Sequence, residues 1–298
     1  MHIETIGKGA PIILIHGWGM HGGVWTDVAQ QLATDFCVHS VDLPGYGFSN
    51  GKGEEGREKG AGGLDRCAAN EEKSGENGRK DESEKGSAPL LPFLLPSSPF
   101  PEIDSIVDQL SAAFPEPISL CGWSLGGQVA MHWAARETEK VNRLILVAST
   151  PCFAEREDWA FGMEKVALEK FATELEANHA ATLRRFIALQ LRGSEDERAL
   201  LALMRERLFS RGEPDMQALR AGLHILRDVD LRGELPDIKQ PSLIIAGERD
   251  KLTPPQASRY MEQIMPSARL VEVAGAAHAP FLSHPEIFVE QVSQFLRE

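Results

Sequence analysis

Apolar residues in this chain gather in short uninterrupted runs, separated by longer stretches in which they recur every three or four positions. Residues 11–15 (PIILI), 38–42 (VHSVD), 118–121 (ISLC), 144–147 (LILV), 243–245 (LII) and 270–273 (LVEV) are the runs. Their length and aliphatic content predict buried strands. Between the first two, Val24, Val28 and Leu32 fall on one face of a helical pattern, and helical patterns separate most of the others. Strands alternating with helices predict an α/β fold: a mostly parallel sheet with helices on both faces, and ligands at the carboxyl ends of the strands.

Two stretches depart from this alternation. In residues 51–88, 18 of 38 residues are charged, nine are Gly, and there is no aromatic residue, Val, Ile or Thr. Such a segment buries too little apolar surface to offset its ordering entropy, so a disordered surface insertion is expected. The apolar but proline-broken PLLPFLLPSSPFP that follows is expected to lie extended against the body, and neither piece to hold chemistry. From residue 151 to about 235 the pattern turns mostly helical, with Leu183, Phe186, Ile187, Leu189 and Leu191 at repeated apolar positions. A helical block inserted between two strands of one sheet predicts a cap over the strand ends. The expected layout is a core of residues 1–150 and 236–298, an insertion at 51–100, and a cap at 151–235.

A chain of 298 residues suffices for one large α/β domain with such a cap. The net charge of −13 argues against a general nucleic-acid binder, which needs clustered Lys and Arg. No apolar run approaches the roughly 20 residues of a membrane span, and the opening MHIETIGKGAP has no basic segment leading into an apolar one. A cytoplasmic location without membrane attachment is expected. Cys37, Cys67, Cys121 and Cys152 show no metal-ligand spacing and are read as buried or inert thiols.

Chemistry enters at Gly122-Trp123-Ser124-Leu125-Gly126, a G-x-S-x-G sequence where an apolar run ends and a helical pattern begins. In that context the motif predicts a nucleophile elbow, a tight strand-to-helix turn that presents the serine hydroxyl. A hydroxyl is a weak nucleophile at neutral pH and needs a base, which in turn needs an orienting acid. His278 follows the last strand-like run across the small-residue loop Gly275-Ala276-Ala277, and Asp250 follows the preceding one. The order Ser, Asp, His is the chain order of the elbow-bearing fold. His284 and Glu248 are the rivals for base and acid. The oxyanion formed at the attacked carbonyl needs preorganised N–H donors. The N–H of Leu125 and that of Trp18, in His16-Gly17-Trp18-Gly19 after the first core strand, are the candidates.

HGWGMHGGVW (16–25), VDLPGYGFS (41–49), GWSLGG (122–127), VASTPCF (147–153), RFIALQ (185–190) and GAAHAPFLSHP (275–285) together closely resemble the BioH family, the pimeloyl-acyl-carrier-protein methyl ester esterases of biotin synthesis. The likeness covers the chain outside the insertion, which falls after Ser49 where relatives run quickly into the next helix. Trp18, Trp123, SxPCF and FIALQ are its discriminating pieces; the rest mark the α/β-hydrolase superfamily. The resemblance implies an α/β-hydrolase fold and a serine carboxylesterase. Ser124 attacks the methyl ester at the far end of a pimeloyl chain, methanol leaves, and water releases pimeloyl-acyl-carrier protein. His278 serves first as base and then as acid, Asp250 orients it, and no metal or organic cofactor is required. By the same resemblance Trp18 and Leu125 line the oxyanion and substrate site, while Phe186, Ile187, Ala188, Leu189 and Gln190 meet the acyl chain from the cap.

An acyl carrier protein is acidic, and so is this chain, so docking would need a local positive surface. Residues 184–211 hold seven arginines (Arg184, Arg185, Arg192, Arg198, Arg205, Arg207, Arg211) against four acids (Glu195, Asp196, Glu197, Glu206), a local net of +3. That rim could steer a carrier, with Arg184, Arg185 and Arg198 as candidates, or could be the solvated face of cap helices. A monomer is expected. Two other functions compete: a broad carboxylesterase for short acyl esters, and a non-catalytic ligand receptor on a hydrolase scaffold.

Overall fold

Seven strands are hydrogen-bonded into one sheet in a computed structural model that describes residues 1–50 and 101–298. They are β1 (His2–Ile6), β2 (Ala10–Ile15), β3 (Phe36–Asp42), β4 (Ile118–Trp123), β5 (Val141–Val147), β6 (Ser242–Gly247) and β7 (Ala268–Val273). Their spatial order is β1-β3-β2-β4-β5-β6-β7. All pairings are parallel except that of β1 with β3. The six apolar runs are β2 to β7. β1, with the sequence HIETI, escapes the apolar pattern because it is an edge strand with no fully buried residue. The insertion expected at 51–100 lies outside the described residues.

The connections place the helices. α1 (Thr26–Leu32) joins β2 to β3, moving one way along the sheet. α2 (Pro101–Ala113) precedes β4, α3 (Leu125–Arg136) joins β4 to β5, and α8 (Pro255–Ile264) joins β6 to β7, all moving the other way. Right-handed crossovers running in opposite directions put α1 on one face and α2, α3 and α8 on the other. The C-terminal helix α10 (Pro285–Arg297), reached through the short α9 (Pro280–Ser283), packs on α1. The direction reverses between neighbouring β2 and β4, the place where such sheets open a crevice at their carboxyl ends.

Between β5 and β6 the chain leaves the sheet and forms α4 (Lys165–Ala177), α5 (His179–Leu191), α6 (Glu197–Leu208) and α7 (Met216–Asp228). Polar contacts anchor this cap to the loop after β2. The Trp18 indole donates to the Leu219 carbonyl (2.9 Å), and Arg207 donates to the Val24 carbonyl (3.1 Å) and pairs with Asp27 (2.7 Å). Arg211 pairs with the buried Asp42 (3.1 Å) and with Glu4. Among the described residues no helix is long and apolar enough to cross a membrane. Cys121 and Cys152 are free and buried; Cys37, read from sequence as an inert thiol, is disulfide-bonded.

Candidate active site

Ser124 is the single residue between β4 and α3, at φ 54° and ψ −117°. A side chain rarely adopts that backbone, and residues held there cost on the order of 1–3 kcal/mol, so the surroundings must over-determine the turn. They do. The Ser124 N–H donates to the Val147 carbonyl (3.0 Å), and its own carbonyl accepts from Ser149 Oγ (2.8 Å). The flanking glycines are there for space: a Cβ on Gly122 would stand 2.2 Å from the Gly126 oxygen, and one on Gly126 would stand 2.3 Å from the Ile15 oxygen. The turn therefore closes tightly enough to bring β4, α3 and β2 into backbone contact.

His278 and Asp250 reach this serine from two neighbouring loops. His278 Nε2 lies 2.9 Å from Ser124 Oγ, and His278 Nδ1 lies 2.8 Å from Asp250 Oδ2. A carboxylate only accepts, so Nδ1 carries the proton and Nε2 is left to accept from the hydroxyl. Asp250 is itself fixed: Oδ1 accepts the N–H groups of Leu252 (2.8 Å) and Thr253 (3.1 Å), and Oδ2 also accepts the Thr253 hydroxyl (2.7 Å). All three residues are buried, and hydrogen bonds take the place of water around the carboxylate. Glu248, the rival acid, turns away and accepts the Gly275 N–H (3.0 Å). His284, the rival base, sits at the start of α10 with its Nδ1 on Ser283 Oγ (2.9 Å).

Sequence reasoning passed over three supports of this arrangement. Thr253 braces Asp250, and an acidic side chain followed two and three residues later by bonded N–H groups is an Asx-type turn that Asp250-Lys251-Leu252-Thr253 could have suggested. The Trp123 indole donates to the His278 carbonyl (2.7 Å), and the His278 N–H donates to the Gln190 carbonyl (3.1 Å). These two contacts join residues far apart in the chain, and no local signal announces them.

Leu125 opens α3, so its N–H has no acceptor within the helix and points with the positive end of the helix dipole. Gly17 is pressed against the serine: a Cβ on it would be 3.2 Å from Ser124 Cβ, which brings the Trp18 N–H into the same neighbourhood. Neither N–H donates to another group among the described residues. His16 holds this loop. Its Nδ1 donates to the Gly17 carbonyl (2.8 Å), and its Nε2 accepts the Leu43 N–H (3.0 Å). Burial pushes the His16 pKa down to about 4, so the ring is neutral and this tautomer persists at neutral pH. Asp42 beside it accepts the Gly22 (2.7 Å) and Phe48 (2.9 Å) N–H groups. Burial alone would raise its pKa, but His16, these donors and Arg211 outweigh that and lower it.

A cavity of about 350 Å³ lies among the helices between β5 and β6, with Trp18 its lining residue from the loop after β2 and none of Ser124, Asp250 or His278 in its wall. The Trp18 ring forms one wall and meets Phe171 and Phe186 edge-on, at centroid distances of 5.4 and 5.2 Å. Of the five cap residues expected against an acyl chain, Phe186 and Leu189 line this cavity; Ile187, Ala188 and Gln190 do not. Helical period explains the split. Phe186 and Leu189, three apart, share a face with Arg185, while Ile187 and Gln190 turn into the buried side. Lys170, Glu174 and Arg185 stand at the cavity edge, and Arg185 pairs with Glu174.

The arginine-rich stretch divides. Arg185, Arg207 and Arg211 are in ion pairs, and Arg184 lies over the Phe209 ring at 5.3 Å. Arg192, Arg198 and Arg205 are exposed, and none of them, nor Arg184, forms an ion pair among the described residues.

Residues 10–285 match the model of a family described as alpha/beta hydrolase fold. Two relatives, both named pimeloyl-[acyl-carrier protein] methyl ester esterase, come from Nitrosomonas europaea and Nitrosospira multiformis. The first is 40% identical, covering 97% of this chain and 96% of the relative. The second is 36% identical, covering 100% of this chain and 98% of the relative. Among solved structures, an esterase from Exiguobacterium antarcticum superposes with a TM-score of 0.75 at 19% identity, covering 100% of this chain and 95% of that one. At that identity the likeness speaks for the fold.

Proposed function

This chain belongs to the alpha/beta hydrolase family, and on that premise we propose that it is a serine esterase that hydrolyses the methyl ester of pimeloyl-acyl-carrier protein to methanol and pimeloyl-acyl-carrier protein. The observation that carries the substrate is the near-full-length identity to esterases of that name. The observation that carries the chemistry is the unbroken chain from Ser124 Oγ through His278 to Asp250.

The steps follow from the hydrogen bonds. His278 Nε2 takes the hydroxyl proton as Ser124 Oγ attacks the ester carbonyl, and the imidazolium that results is stabilised by Asp250. The Leu125 and Trp18 N–H groups receive the oxyanion. His278 then returns the proton to the leaving methoxide, releasing methanol. Water, deprotonated by the same nitrogen, attacks the acyl-enzyme carbonyl, and His278 returns that proton to Ser124 Oγ as the acyl C–O bond breaks and the free acid leaves. The aromatic and aliphatic cavity beside Trp18 takes the acyl methylenes, whose transfer out of water contributes roughly 0.8 kcal/mol per CH₂.

For the carrier, Arg184, Arg192, Arg198 and Arg205, which form no ion pair among the described residues, supply the positive surface, with Arg198 the test position; Arg185, already paired with Glu174, serves the cavity edge instead. Soluble carrier-linked substrate fits a cytoplasmic enzyme. The deciding experiment is complementation of a biotin-requiring strain that lacks this esterase, using the wild type and Ser124→Ala side by side. Growth with the wild type alone supports the reading. Growth with neither, from well-expressed protein, overturns it.

A further inference from the structure

Gly222 sits in the middle of α7, where its φ is not positive and nothing about the backbone requires a glycine. A helix interior favours alanine there, because glycine gives up the most conformational freedom on folding. What the position lacks is room. A Cβ on Gly222 would stand 2.5 Å from Trp18 Cδ1, 3.0 Å from Trp18 Nε1 and 2.9 Å from the Tyr46 hydroxyl. Both side chains are buried against this strip of α7, and each donates to a carbonyl of that helix: the Trp18 indole to Leu219 (2.9 Å) and the Tyr46 hydroxyl to Ala218 (3.1 Å). Phe171 and Phe186 meet the indole as well, so little space is left for it to swing aside. Its backbone is held too. The Trp18 N–H and the Gly17 carbonyl belong to one planar peptide unit, and that carbonyl accepts from His16 Nδ1 (2.8 Å) and from the Met20 N–H (3.3 Å).

On the reading that Ser124 is the nucleophile and the Trp18 N–H receives the oxyanion, we propose that Gly222 is a positioning residue for that donor: the bare strip of α7 seats the indole, and the depth of the seat sets where the Trp18 N–H stands beside Ser124. A methyl group on Gly222 presses on Cδ1, the part of the ring nearest the main chain, and on Nε1, whose hydrogen bond to Leu219 must then lengthen. A packed indole relieves such a push by moving its own Cα, and the peptide plane tilts with it. Gly17 lies so close to the serine that a Cβ on it would be 3.2 Å from Ser124 Cβ, so a small tilt redirects the N–H relative to the attacked carbonyl. An oxyanion donor works only where it is aimed in advance at the charge that develops, and a displacement of about 1 Å is enough to forfeit much of its effect.

The test is Gly222→Ala in the full chain, assayed on nitrophenyl acetate, whose acyl group is too short to report on the cavity beside Trp18. The kcat should fall roughly tenfold to a hundredfold, with KM kept within about threefold of wild type, the pattern of an interaction made only in the transition state. A kcat within about twofold of wild type in the folded variant, or a raised KM with kcat held, would make Gly222 a packing residue only and overturn the proposal. Tyr46→Phe added to Gly222→Ala relieves the hydroxyl contact and leaves the indole contact, so activity should stay low; recovery would assign the push to Tyr46 and overturn it as well. Should Gly222→Ala fail to fold, Trp18→Phe, which frees the ring from the Leu219 carbonyl without adding bulk, must lower kcat at least about fivefold, and an unchanged kcat counts against the seat. The Trp18 indole N–H resonance, identified by its absence in Trp18→Phe, reads the contact apart from catalysis. Its shift on Gly222→Ala in a Ser124→Ala background supports the seat even if the wild type hydrolyses no ester, and an unmoved resonance overturns it.

Discussion

The backbone N–H of His278 donates to the carbonyl oxygen of Gln190 at 3.1 Å, so the loop bearing the proposed base is hydrogen-bonded to the last turn of cap helix α5. Nearby the Glu195 N–H donates to the Gly275 carbonyl (3.2 Å), and Arg249 Nη1 donates to the Gly193 carbonyl (3.2 Å). The turn between α5 and α6 thus lies against both loops that carry the proposed acid and base, Asp250 and His278. The cap and the loops bearing these two residues are tied together by hydrogen bonds.

Arg249 adjoins Asp250, and its half-exposed guanidinium is the only side chain among these contacts. Arg249→Ala should lower kcat on a small soluble ester about fivefold with KM little changed, the equivalent of one modest hydrogen bond of about 1 kcal/mol. Steady-state kinetics check it, and an unchanged kcat would show that the turn is held by its backbone contacts alone.

Asp250→Asn exchanges a pure acceptor for an amide that can donate to His278 Nδ1 and stabilise the wrong tautomer. A loss in kcat of about three to four orders of magnitude is expected with the fold retained. Labelling of Ser124 by an organophosphorus probe should slow in parallel. Wild-type labelling rates would remove Asp250 from the mechanism.

Gly126→Ala would drive a methyl group to 2.3 Å from the Ile15 oxygen, a contact only a backbone shift can relieve. Overpacking of this kind costs typically 1–3 kcal/mol, so the thermal midpoint should fall by several degrees and activity should fall with it, because the elbow itself must move. Calorimetry of the purified variant decides; a midpoint equal to wild type would mean that the turn is looser than described.

His16 is neutral in the fold down to about pH 4, whereas its unfolded counterpart protonates near 6.5. A lowered folded pKa means that the unfolded state binds the extra proton first. The contribution is therefore intact above pH 6.5 and is lost as pH falls from there toward 4, by on the order of 3 kcal/mol from this group. Denaturant titrations at several pH values should show this slope, and His16→Gln, less stable at pH 8, should show a shallower one. Equal slopes in both proteins would assign the acid sensitivity elsewhere.

Arg198 is exposed on α6 and without an ion-pair partner among the described residues. Arg198→Glu should reduce kcat/KM on a carrier-linked ester about tenfold while sparing a small ester, with the difference shrinking as salt is added. Equal losses on both substrates would dismiss this face as the docking surface.

Much of the fold is legible in the order of residues, because a strand buried on both faces favours aliphatic side chains. Hence β2, β4, β5 and β6 announce themselves as runs such as PIILI and LILV, β3 by its valines although it also buries His39, Ser40 and Asp42, and the edge strand β7 by LVEV, while the half-exposed β1 does not. The elbow is legible for a similar reason: Gly122 and Gly126 stand where a Cβ would strike backbone, so close packing writes itself into residue type. The candidate acid and base are legible only as residues following a strand.

Tertiary structure alone decides between rivals two residues apart. Glu248 and Asp250 follow the same strand, yet only Asp250 finds an Asx-type turn and the ring of His278. It also decides which cap residues face the cavity, since Phe186 and Ile187 are equally apolar and only the docking of α5 turns one toward Trp18. Local sequence encodes what each segment buries. Which partner lies across the gap depends on how separately encoded elements pack, and that is a property of the assembled chain.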